Sequence, residues 1–266
     1  MEILGYIGAI FIGVILGLTG GGGSIITVPL LIYILGINPV IASAYSLFIV
    51  GTTSTFGSFI NYTKNLINIK LGFIYAIPSF TAVYLTRKYI VPVIPEIIYK
   101  SGKFVITKDL FLILFFATIM FLAALSMIKV KKKTTDTPRQ KSSFWFLIPI
   151  NFVIGCATGL VGAGGGFLIT PALIYFTQIS MRNAVATSLF IISMNSIIGF
   201  LGDVQNVSID WFFLLKFTLL SIIGINLGIF LSRFLKDGQL KRMFGYFVLT
   251  LSIIIFIKEM INLLKV

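Results

Sequence analysis

Two short stretches concentrate the residues of this chain that are suited to recognising a ligand. One is Thr19, Gly20, Gly21, Gly22, Gly23 and Ser24; the other is Gly162, Ala163, Gly164, Gly165 and Gly166. Glycine lets a ligand approach the backbone, and a helix starting after it offers unpaired N–H groups and the positive end of its dipole. Such a terminus attracts an anion without a full buried positive charge. Ser46, Ser188, Thr53 and Asn195 lie on the segments that follow and could add donors. The competing reading is packing, since small residues let membrane helices approach closely and a serine can bond back to its own helix. Glycine clustering at a register repeated in both stretches favours a site.

Other chemistries lack their residues. A phosphate-binding P-loop needs Lys followed by Ser or Thr after the glycines, and neither stretch has it. Histidine is absent, which removes the commonest general base and metal ligand, and Cys156 stands alone. All eight carboxylates (Glu2, Glu96, Asp109, Asp136, Asp203, Asp210, Asp237 and Glu259) fall near expected helix ends or in loops. The reading is therefore no enzyme, no metal, no cofactor and no carboxylate relay across a membrane. Lys216 lies inside an apolar segment and Arg182 opens one, and both read as interfacial anchors.

The elements that must position the glycines are set by composition. The 266 residues are 58% apolar and 11% charged, too few charges to coat a globule in water. Lipid is the solvent for most of the surface, and the expected class is an all-α polytopic protein of the cytoplasmic membrane. The net charge of +13 sits between apolar runs, which points to membrane topology and lipid headgroups, with no nucleic-acid role.

Ten helical segments are expected in two sets of five: roughly 3–18, 24–36, 39–60, 71–93 and 109–129, then 144–160, 166–178, 183–202, 209–232 and 242–263. This divides the chain into a first repeat at 1–129, a basic cytoplasmic linker at 130–143 and a second repeat at 144–266. The segment after each glycine cluster spans only about 20 Å at ~1.5 Å per residue, short of a ~30 Å hydrocarbon core. Each contains a proline, Pro29 or Pro171. Each is a broken or re-entrant helix, whose freed backbone must be buried or line a cavity.

An offset of 142 residues aligns 17–61 with 159–203 at 18 identical positions of 45. GLTGGGGSIITVPLLIY matches GLVGAGGGFLITPALIY, and ASAYSLFIV matches AVATSLFII. An odd number of crossings per half inverts the second half, and positive-inside counting favours inversion because it misplaces fewer charges. Its exception is the stretch from Arg87 to Lys108, whose basic residues face outward.

The paired glycine motifs, each followed by a small-residue SLF helix, resemble the sulfite exporter TauE/SafE family of membrane permeases. The resemblance implies movement of sulfur-containing anions such as sulfite, thiosulfate or organosulfonates across the cytoplasmic membrane, with substrate held by Gly20 to Ser24 and Gly162 to Gly166. Ala163 in place of Gly21 departs from symmetry. The expected function is a secondary transporter working by alternating access. The alternatives are an intramembrane enzyme and a non-transporting assembly protein with packing glycines. Substrate, direction, coupling ion and homo-oligomerisation stay open.

Overall fold

The structure is a computed structural model that describes residues 2–101, 104–129, 144–162, 164–177, 179–234 and 237–265. The linker at 130–143 and Ala163 lie outside the described residues. The first half consists of α1 (Glu2–Thr19), α2 (Gly22–Tyr33), α3 (Pro39–Thr63), α4 (Ile69–Leu85) and α6 (Lys108–Lys129). Helix α4 runs on through a π-helical turn, Thr86–Ile90, into a short α5 (Val91–Val93). The second half repeats the order with α7 (Phe144–Val161), α8 (Gly166–Thr177), α9 (Met181–Asp203), α10 (Trp211–Leu231) and α11 (Asp237–Lys265). All ten expected segments are helices. The sequence pattern did not announce an antiparallel hairpin of β1 (Ile97–Ser101) and β2 (Phe104–Thr107), which joins α5 to α6.

Polar side chains start the long helices where the apolar runs begin. Asn38 accepts from the Val40 N–H at 2.9 Å with Pro39 in the first turn of α3, and Asn68 accepts from Leu71 at 3.1 Å to start α4. Ser180 and Asp210 do the same for α9 and α10. Among the described residues, five helices are long and apolar enough to cross a membrane: α3, α4 with its extension, the first part of α6, α9 and α10. Large apolar side chains such as Phe59, Phe212 and Leu219 point outward, where a soluble protein would place charge.

Each short helix is 12 residues long. Helix α2 doubles back along α1: Gly23 lies against Ile12 and Leu16, Gly8 against Leu30, and Gly5 against Leu35. The first two elements are therefore an antiparallel hairpin, not one interrupted helix. Helix α1 packs on α10 through backbone contacts of Gly13 and Gly17 with Ser221, Ile225 and Gly228. Helix α7 packs on α4 in the same way, with Gly155 on Ser79 and Gly159 on Val83 and Thr86. Glycine at these crossings allows helix backbones to touch.

The principal contacts between the halves recur when the halves are exchanged: α1 with α10 and α7 with α4, α3 with α10 and α9 with α4. The equivalent helices α3 and α9 pack on each other antiparallel, since Leu47 meets Gly199, Gly51 meets Ser196, and Gly57 meets Leu189. The pairs α2 with α8 and α6 with α11 complete the arrangement.

Candidate anion-binding site

The glycine turns meet in the interior. A Cβ on Gly21 would enter the backbone of Gly166, and one on Gly166 would strike the Cα of Gly21. The two helix starts thus touch, one from each half. Gly20 and Gly162, equivalent in the repeat, carry φ of 70° and 72°, which glycine adopts without strain. Gly164 faces the Ser196 hydroxyl and Gly165 faces Thr158, while Gly23 serves the α1–α2 hairpin.

Several of the expected donors are used within the protein. The Thr19 hydroxyl accepts from the Gly22 N–H at 2.8 Å, so this terminus is capped from inside. The Ser24 hydroxyl donates to the Gly21 carbonyl at 2.5 Å. The Gly20 carbonyl accepts from Ser188 at 2.6 Å and from Thr170 at 3.2 Å, both of the other half. These bonds fix the first turn to α8 and α9.

Other polar atoms are buried without a partner. They include the hydroxyls of Ser46, Thr53, Ser54 and Ser196 and the amide oxygen of Asn195, whose Nδ2 donates to Ser79 at 2.7 Å. At the repeat offset Thr53 matches Asn195 and Ser54 matches Ser196, so both halves bring unsatisfied groups to the packed faces of α3 and α9. Each such group costs of order 1–3 kcal/mol unless something bonds it. Ser46 differs from its equivalent, Ser188, in finding no acceptor.

Beside the first turn opens a cavity of about 290 Å³, lined by Gly17, Leu18, Asn61, Lys64, Arg182, Val185 and Arg233 among others. Val185 is the residue on which Gly20 packs, so the cavity reaches the crossover. Among the described residues its lining carries three cations and no carboxylate. Burial, and then the Arg233 charge, hold the Lys64 ammonium below the ordinary lysine range. Arg182, expected as an anchor, lines this mouth. Lys216 lies outside it, its Nζ 3.7 Å from the centre of the exposed Phe212 ring, as an interfacial anchor should be.

The second turn has different company. Arg87, expected to face outward, is 0% exposed, and a Cβ on Gly162 would collide with its Nη2 and with Ser43. Its Nη1 lies 3.1 Å from Asp203 Oδ2 and donates to the Ser43 hydroxyl at 2.9 Å. Asp203 is buried as well. Arg87 thus drops out of the positive-inside exception, because its charge is neutralised inside the protein, while Lys88, Lys100 and Lys108 stay in it. Among the described residues no group of acids, cysteines or histidines could hold a metal.

Residues 6–255 match the family described as Sulfite exporter TauE/SafE, nearly the whole chain. The chain belongs to this family. Its relatives include a probable membrane transporter protein of Xylella fastidiosa strain 9a5c, 28% identical over 91% of this chain and 90% of its own. Another, the probable membrane transporter protein YunE of Bacillus subtilis strain 168, is 26% identical over 83% of this chain and 85% of its own. No solved structure matches. This TauE/SafE member is a multi-pass membrane transporter.

Sequence reasoning singled out the TauE/SafE glycine motifs and read the charged residues around them, Arg87, Arg182 and Asp203, as helix-end or interfacial groups. Arg87 and Asp203 lie 116 positions apart, and each sits at a helix end in the linear pattern. Ser43 and Lys64 gave no signal beyond their types. The repeat offset held a clue: it places Asp203 opposite Asn61 and Arg87 opposite Ile229, so the carboxylate and its cation belong to one half-site only.

Proposed function

We propose that the protein is a secondary transporter that carries a small sulfur-containing oxyanion, such as sulfite, thiosulfate or an organosulfonate, across the cytoplasmic membrane by alternating access. The observation that carries this reading is the contact of two glycine turns, one from each half, beside the buried unpartnered Ser196 hydroxyl and at the floor of a basic cavity. A small oxyanion is what hydroxyl donors, glycine backbone and cationic walls jointly suit. Moderate binding favours release, which transport requires.

The halves are inverted repeats in this reading. Antiparallel packing of the equivalent α3 and α9 supports it, as does the α1–α2 hairpin, which gives the first half an odd number of passes. Helix α6 starts beside Asn38, through Asp109, and runs toward the end of the molecule where Lys64, Arg182 and Arg233 lie. The linker joins there. Its six Lys or Arg between 129 and 141 support a cytoplasmic position for that mouth.

The test is uptake of radiolabelled sulfite, thiosulfate and organosulfonates into liposomes holding the purified protein, with and without a pH gradient. Saturable flux of at least one of them is expected; absence of saturable flux for every small anion overturns the reading.

A further inference from the structure

We propose that Arg87 is a binding residue for the transported oxyanion, and that Asp203 occupies it as an internal substitute while the mouth over the second glycine turn is closed. The class of ligand rests on the transport reading above.

A guanidinium presents five N–H donors in a planar fork that fits two oxygens of one anion at once. In a pair built for stability alone that fork would be filled, because unsatisfied donors in a buried cation are costly. Arg87 does otherwise. Its Nη1 alone serves both Asp203 and Ser43, while Nε and Nη2 have no partner although the side chain is 0% exposed. The edge left open faces the second glycine turn, where Gly162 at φ 72° comes against Nη2. The adjacent Thr86 hydroxyl is likewise buried and unpartnered.

The repeat shows that the fold does not need this pair. At the same offset the other half has Ile229 and Asn61, and the Asn61 amide is spent on the Gly57 carbonyl of its own helix at 2.9 Å. The corresponding helices pack without an ion pair there. The carboxylate is thus an addition to one half-site, and it has the same acceptor chemistry as a sulfur oxyanion.

Competition between the two supplies the coupling that a carrier needs. Arg87 belongs to the end of the long α4 span and Asp203 ends α9, so the pair ties two helices of different halves. Arg87 is fully buried and Asp203 nearly so, which keeps an oxyanion in solution away from the guanidinium in this state. An anion that bonds both Nη1 and Nη2 of Arg87 must take Nη1 from Asp203 and separate the helices, so its preference for the parted state shifts the equilibrium toward opening.

The test compares wild type, D203N, R87Q/D203N and R87K, purified in detergent with a bulky organic counterion. Sulfite and thiosulfate are titrated against thermal unfolding, and sulfite uptake is measured in liposomes. Removing the internal competitor should tighten sulfite binding by D203N about tenfold or more, and R87Q/D203N should lose that response. R87K keeps a cation for Asp203 but loses the fork, and should bind sulfite about tenfold more weakly than wild type. A D203N response that persists in R87Q/D203N, or no D203N response, overturns the proposal. Should D203N not fold, R87K decides: sulfite affinity equal to wild type refutes a role for the fork. Wild-type flux without an Arg87-dependent response sinks this inference and leaves transport standing. An Arg87-dependent response without flux by wild type does the reverse.

Discussion

The two glycine turns have the same backbone role and opposite electrostatic surroundings. Beside Gly20 the wall is Val185, and the cavity next to it holds Lys64, Arg182 and Arg233 with no acid among the described residues. Beside Gly162 stand Ser43, equivalent to Val185, and Arg87, locked to Asp203. Cations in an open cavity stay hydrated and draw counterions from solution, so they need no fixed partner. A guanidinium without water must carry its counter-charge with it. The contrast teaches that near-identical motifs can form one open and one sealed approach to a shared centre, because the residues outside the motif differ.

The contrast is broken most directly by chemical access. In a C156S background, a cysteine at Ser232, on the cavity wall, should react with a membrane-impermeant maleimide on the order of a hundredfold faster than one at Ser43, since the buried site must first open. Equal rates would mean that the two mouths do not differ in access.

Closing the contact itself should have the next largest effect. The G166V side chain enters the backbone of Gly21, and overpacking of this kind costs about 1–3 kcal/mol. Sulfite flux should fall about tenfold or more while the protein still elutes as a folded species. If G166V transports normally, the crossover is no site.

A smaller change sharpens the electrostatic side. R182Q/R233Q should raise the KM for a sulfur oxyanion about tenfold at low salt, and the gap should narrow as salt screens the wild-type cavity. A KM shift independent of ionic strength would assign these arginines another role.

The smallest effect is a pH dependence. Burial and Arg233 depress the Lys64 ammonium, so its positive charge is lost at lower pH than that of a free lysine. Anion affinity should therefore fall as alkaline pH rises through that depressed value. R233Q removes a like charge and should move the fall toward higher pH. A K64Q protein whose pH profile equals wild type would exclude Lys64 as the group responsible.

Much of this was legible in the chain. Apolar runs gave ten helices within a few residues. The motifs brought together Gly20, Gly21, Gly162 and Gly166, equivalent positions of a repeat meeting near its symmetry axis. The fate of individual donors was not legible. Thr19 turns back to cap Gly22, and Ser188 reaches the Gly20 carbonyl while the equivalent Ser46 reaches nothing. Rotamers and sub-ångström offsets decide such bonds, and residue type does not encode them.

Composition, hydrophobic period and the internal repeat by themselves determined a membrane-embedded bundle of two related halves, because lipid permits few other ways to satisfy the backbone. Only the tertiary structure decided that α2 folds back on α1, that α3 and α9 run antiparallel, and that Arg87 turns inward to Asp203. The physical reason is range. Local pattern fixes what each residue does to its own helix, whereas the partner of a charge is set by which helix ends the packing brings within a few ångströms.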